Sequence, residues 1–90
     1  MDYLYNIGDM VIVKADLRMN VDYYMKSGPH GTYSYNNVVD DMKKFAGTVV
    51  HIAKHTEGQY LIEEDGYNFA WTDEMFEDHV GNEYYCTSLL

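Results

Sequence analysis

Thr48-Val49-Val50-His51-Ile52-Ala53-Lys54-His55-Thr56-Glu57-Gly58-Gln59-Tyr60-Leu61-Ile62-Glu63-Glu64 decides the fold class. Residues 48–53 and 60–64 are short, apolar and rich in β-branched side chains, too brief for an ordinary helix. Gly58 supplies the backbone freedom of a turn between them, so the stretch reads as two strands and a loop. Asp65-Gly66 then separates the second strand from Tyr67-Asn68-Phe69-Ala70-Trp71. An Asp-Gly pair between alternating runs predicts a tight hairpin. Thr72 stands where it can cap a single helical turn, Asp73-Glu74-Met75-Phe76, whose acids suit its N-terminal end while Met75 and Phe76 turn inward.

Upstream, Val38, Val39, Met42 and Phe45 recur at helical spacing, with Asn37 placed to cap, Asp40 and Asp41 at the start, Lys43 and Lys44 at the end, and Gly47 as a stop. A short helix is predicted within 37–46. Residues 18–36 show no period; they carry Tyr23, Tyr24, Tyr33, Tyr35 and the turn-forming Ser27-Gly28-Pro29-His30-Gly31, and so read as a long excursion loop. Loops of that length inside small domains are usually functional or mobile. Met10-Val11-Ile12-Val13 reads as the first core strand, ending at Lys14. Residues 80–90, with Tyr84 and Tyr85, add a last strand or fray. The pattern is mostly β: a small SH3-like barrel of about five strands, with one short helix and a single helical turn before the last strand.

Ninety residues, 47% of them hydrophobic, suffice for one compact core and exclude a second domain. The expected domain is 1–90, its core at about 7–77 and an acidic, Tyr-bearing tail at 78–90. No apolar run approaches the ~20 residues of a membrane span, and the first residues lack the basic and apolar regions of a secretion signal. The lone Cys86 has no internal disulfide partner, which fits a reducing compartment, so a cytoplasmic location is expected. Charge is unevenly placed. Residues 1–54 hold six acids and all six Lys and Arg; residues 55–90 hold nine acids and neither Lys nor Arg, so the formal charge of −9 lies wholly in the last 36 residues. Such a field repels nucleic acid and anionic lipid and draws basic partners; the plainer reading is a wet face that keeps the domain soluble.

Gly8-Asp9-x-Val11-x-Val13-Lys14-x-Asp16-Leu17, then Met42-x-x-x-Ala46-Gly47-x-Val49-Val50-x-Ile52, then Tyr60-x-Ile62-x-Glu64-Asp65 and Trp71-Thr72-Asp73-Glu74-Met75-Phe76 together resemble small proteins of bacteriophages, prophages and their Firmicute hosts. More distantly they resemble the Mind-bomb type of SH3-like domain, which also opens on Gly-Asp-x-Val and closes on a Trp near an acidic helical turn. The likeness spans roughly residues 7–77, its most specific element being the Trp-Thr-Asp-Glu-Met-Phe hexapeptide. It implies the fold and a viral or mobile-element origin, and carries no activity to any residue. The Tyr-rich 18–36 and the tail after Asp78 depart from the pattern, and a private function would sit there.

Gly-x-Ser-x-Gly, a Gly-Lys-Ser/Thr phosphate loop and Gly-x-Gly-x-x-Gly are all absent, so no enzyme is predicted and no cofactor. His51 and His55 would lie ~13 Å apart on a strand, too far to share a metal ion, and no metal site is expected. Binding residues are sought among Glu57, Glu63, Glu64, Asp65, Asp73, Glu74, Glu77 and Asp78, and among Tyr23, Tyr24 and Trp71. Tyr67, Phe69 and Trp71 alternate and would share one side of a strand, either in the core or lining an aromatic groove bordered by Glu63 and Asp65. The expected function is a non-enzymatic protein-binding module whose acidic face engages a basic protein surface, with no direct nucleic acid and no membrane. Its sharper form mimics nucleic acid to inhibit a host defence nuclease, as anti-restriction and anti-CRISPR proteins do, by occupying a host nucleic-acid-binding protein. A peptide- or methyl-lysine-binding SH3-like module and an accessory virion protein are the alternatives.

Overall fold

The computed structural model describes residues 2–82, so the expectations for Tyr84, Tyr85 and Cys86 lie outside the described residues. β1 (Asp9–Val13) pairs antiparallel with β4 (Val49–Thr56) on one side and with β6 (Phe76–Asn82) on the other, and β5 (Gln59–Ile62) adds to β4, giving the sheet order β5-β4-β1-β6. A separate two-stranded ribbon is made by β2 (Tyr23–Tyr24) and β3 (Tyr35–Asn36). A single helix, α1 (Asp40–Lys43), and 3-10 turns at Gly31–Tyr33 and Asp73–Met75 complete the described chain. The fold is mostly β, a curled antiparallel half-barrel sheet that fits a small barrel-like fold, with the short helix and the single turn before the last strand that the sequence predicts.

Strand alternation builds the core. Val11 and Val13 of β1, Val50 and Ile52 of β4, and Tyr60 and Ile62 of β5 turn inward and are sealed from solvent, and Trp71, Met75, Phe76, Met42 and Leu17 close around them. Curvature comes from irregular pairing. Register slips occur between Ile52 and Lys54 opposite β5, and at two places in β1 opposite β6, and such bulges bend and twist a strand.

Several local expectations are corrected. The tight hairpin is at Glu57-Gly58, where Thr56 pairs with Gln59 and both turn residues have positive φ, 47° and 83°, as a two-residue turn of primed type requires. Asp65-Gly66 instead lies in a wide turn, because the Asp65 carboxylate accepts hydrogen bonds from the Asn68 N–H (3.2 Å) and the Trp71 indole N–H (3.0 Å). The run from Tyr67 to Trp71 is therefore not a strand. It touches β5 through an isolated antiparallel bridge from Trp71 to Tyr60 and a long hydrogen bond from Tyr67 N–H to the Ile62 carbonyl (3.4 Å). Asn37 does not cap α1; Val39 occupies that position, and the Asn37 amide donates to the Val21 carbonyl and the Asp22 carboxylate. Thr72 does hold the cap position of its turn, but its side chain makes no capping hydrogen bond and its buried hydroxyl has no partner among the described residues. The excursion at 18–36 is ordered into β2, a 3-10 turn and β3.

Packing also reaches beyond 7–77. Tyr5 is buried against Tyr60 and Phe76, its N–H donates to the Tyr60 hydroxyl (3.1 Å), and Tyr3 stacks on His55 with ring centroids 3.7 Å apart. β6 carries the sheet on to Asn82, opposite Asp9.

Candidate functional site

Four side chains hold the ribbon against the barrel. Residues 24 and 26 turn their N–H groups away from β3, and these are met by carboxylates of the 3-10 turn: Tyr24 N–H donates to Glu74 (2.8 Å) and Lys26 N–H to Asp73 (2.8 Å). Asp73 also accepts from the Ser27 hydroxyl at 2.7 Å. On the β3 side, the Gln59 amide donates to the Tyr35 carbonyl (3.0 Å) and to the Ser34 hydroxyl, while the Asn36 amide donates to the Ala70 carbonyl (2.7 Å). Among the described residues no backbone hydrogen bond joins the ribbon strands to the four-stranded sheet.

Period-2 alternation sorts the two tyrosines of β2. Tyr23 points inward and its hydroxyl accepts from Arg18 N–H at 3.0 Å. Tyr24 points out, 40% exposed, and meets its cross-strand partner Tyr35, 53% exposed, with ring centroids 5.3 Å apart at 36°. Tyr33 is 92% exposed on the adjoining turn. Along the outer edge of β2 lies a cleft of about 350 Å³ lined by Lys14, Val21, Lys26, Glu74, Phe76 and Glu77, among others.

The acids of the cation-free segment are not one wet face. Asp73 is 3% exposed and serves the ribbon. Glu74 serves it too, Glu77 accepts from Ala15 N–H (3.3 Å), Asp65 holds Trp71, and Glu64 pairs with the His51 ring at 2.6 Å. Asp78 lies on β6 opposite Ile12. Glu57 and Glu63 are exposed, flanking β5, and their carboxylates make no hydrogen bond or ion pair among the described residues. Carboxylates that look alike in sequence thus divide into those that hold the frame and those left for solvent or a partner.

Trp71 is wholly buried, stacked on Phe76 (5.9 Å, 15°) and edge-on to Phe45, so it is a core residue and lines no groove. Tyr67 does not join it: at φ 67° it is exposed beneath the Lys54 ammonium, whereas Phe69 is half-buried and packs against the same core. His51 and His55 take separate partners, Glu64 and the Tyr5 carbonyl (2.7 Å), and no group of three potential metal ligands gathers among the described residues. No helix among the described residues is long and apolar enough to cross a membrane. Tyr60 sits where the N-terminal residues Tyr3 and Tyr5 pack on β5; burial holds its phenol above the ordinary value of 10, against the lowering effect of the Tyr5 N–H.

Sequence reasoning found Tyr24 and missed its pairing with Tyr35, since strands two residues long leave no periodic signal. It also missed Tyr3 and Tyr5, which precede the first recognisable strand. Compared with family models, curated proteins and solved structures, the chain gives no match.

Proposed function

We infer that the chain is a non-enzymatic protein-binding module that engages a basic protein surface in the host-cell cytoplasm. The observation that supports this reading is the charge division: −9 overall, with no Lys or Arg among residues 55–90. Opposite fields raise the rate of encounter with a basic partner more than they lengthen the complex's life. The exposed Glu57 and Glu63 are the acids freest to act in this way, and the pinned Glu74 and Glu77 add to the same field. A viral or mobile-element origin rests on the sequence resemblance alone.

Nucleic-acid mimicry, the anti-restriction or anti-CRISPR form of this reading, asks for a row of carboxylates free to take phosphate-binding sites. Five of the eight acids nominated from the sequence already accept internal hydrogen bonds or ion-pair. That favours the broader reading of a basic protein partner. A methyl-lysine cage built on Trp71 is disfavoured by that residue's burial.

The test begins with affinity capture from host lysate and continues with association kinetics against the captured partner. Glu57→Gln with Glu63→Gln should slow association several-fold, added salt should slow the wild type likewise, and Asp2→Asn with Asp40→Asn should do much less. Binding indifferent both to salt and to the first pair would refute an acidic working surface. Competition by DNA or RNA for the partner selects mimicry, and co-sedimentation with virus particles selects an accessory virion role.

A further inference from the structure

Tyr24 and Tyr35 have no part in the core, yet the ribbon that displays them is pinned by Glu74, Asp73, Gln59 and Asn36. A cross-strand aromatic pair modestly stabilises a ribbon, which explains why the rings touch. It does not explain why two large rings face outward, near in sequence to the 92%-exposed Tyr33. Outward tyrosines, with only two side-chain torsions each, offer contact area at little entropy cost, the property of a recognition surface.

The geometry selects among ligands. With centroids 5.3 Å apart and 36° between planes, the rings pack on each other; they do not stand apart as the walls of a slot for a proline ring. Nucleic-acid bases also stack on tyrosine, but a chain of charge −9 repels the phosphates they bring. A planar cation suits both ring faces and field. Arginine stacks its guanidinium on aromatic faces, is less tightly hydrated than lysine, and forks two donors toward one carboxylate. Glu74 reaches the backbone of Tyr24 itself, with Oε1 taken by its N–H and Oε2 making no hydrogen bond among the described residues.

We propose that the outer face of the β2–β3 ribbon docks an arginine-bearing segment of the partner, the guanidinium lying on the Tyr24–Tyr35 pair within reach of Glu74. This deepens the reading above and rests on it. The test titrates the isotope-labelled full chain, followed by NMR, with the capped peptide Gly-Arg-Gly-Arg-Gly and its lysine and citrulline counterparts. The arginine peptide should shift the amides of residues 24 and 35 saturably, the lysine peptide should bind about threefold or more weakly, and neutral citrulline should leave them unmoved. Tyr24→Leu with Tyr35→Leu keeps apolar area and removes the ring faces; it should weaken arginine binding about fivefold or more. If that variant loses the dispersion of a folded spectrum, Tyr35→Leu alone takes its place. Equal binding of arginine and lysine, undiminished binding by the leucine variants, or shifts confined to the surroundings of Glu57 and Glu63 would overturn the ribbon site while leaving the acidic module standing. No saturable binding of either cationic peptide would overturn both.

Discussion

Asp73 and Glu63 are both acids of the cation-free segment, and the fold uses them differently. Asp73 accepts from Lys26 N–H and the Ser27 hydroxyl inside the protein, while Glu63 points to water. Hydrogen bonds to charged groups contribute about 1.5–3 kcal/mol each, so Asp73→Ala should cost about 3 kcal/mol or more in urea unfolding. Glu63→Gln should stay within ~0.5 kcal/mol. The two residues are equivalent in sequence because the donors that distinguish them lie more than forty positions away in the chain. Next to Asp73, the Thr72 hydroxyl is buried without a partner among the described residues, a desolvation cost with nothing to offset it. Thr72→Val keeps the branched shape and removes the orphan, and should raise stability by about 1 kcal/mol in the same measurement. Tyr60 gives a pH signature. Its folded-state pKa is raised, so above pH 10 the unfolded chain loses this proton first; the stability is fully present below pH 10 and falls as pH rises beyond it, by up to about 1.4 kcal/mol per pH unit from this group. Tyr60→Phe should start less stable at neutral pH, having lost the bond from Tyr5, and should show a shallower alkaline decline by thermal melting.

Among the elements, the turns repay comparison with their sequences. The longer strands are legible because a short, apolar, β-branched run is a local property: residues 10–13, 48–53 and 60–64 read as strands and overlap β1, β4 and β5, in which Val11, Val13, Val50, Ile52, Tyr60 and Ile62 turn inward. Asp65-Gly66 reads as the better hairpin turn and Glu57-Gly58 as the poorer. The outcome is reversed because the Asp65 side chain is drawn to the Trp71 indole, a tertiary contact that no turn propensity contains. Glu57 therefore bears a left-handed conformation, φ 47°, that costs a residue with a Cβ about 1–2 kcal/mol and asparagine less. Glu57→Asn should accordingly stabilise the chain, by up to about 1 kcal/mol, and Gly58→Ala should destabilise it by more than 1 kcal/mol. At Gly58 a Cβ would meet His30 Cδ2 at 2.5 Å, in addition to the strain of φ 83°. Chemical denaturation of the two variants checks both signs. The ribbon could not be read at all: two-residue strands carry no period, and what fixes them comes from Gln59, Ala70, Asp73 and Glu74.

At the scale of the whole molecule, one tyrosine-rich excursion and one acidic turn are interdependent, and neither is attached by a strand ladder. The barrel is secured by β1 at the centre of its sheet, bonded on both edges, whereas the ribbon is secured by side chains. A ladder must be broken in sequence, but side-chain tethers can release together while the sheet stays whole. Native-state hydrogen exchange should therefore divide the chain into two units of different opening free energy. The amides of Tyr24 and Lys26, whose acceptors are carboxylates, should exchange at least about tenfold faster than those of Val11 and Val50, through openings that expose little surface and respond weakly to added urea. Exchange at one common rate with one common urea dependence would mean that ribbon and barrel open as a single cooperative body. With two units, a partner that grips the ribbon would slow exchange there and leave the barrel's deepest amides unchanged, so the protein would report its own occupancy in the local free energy of the segment that is tied down least.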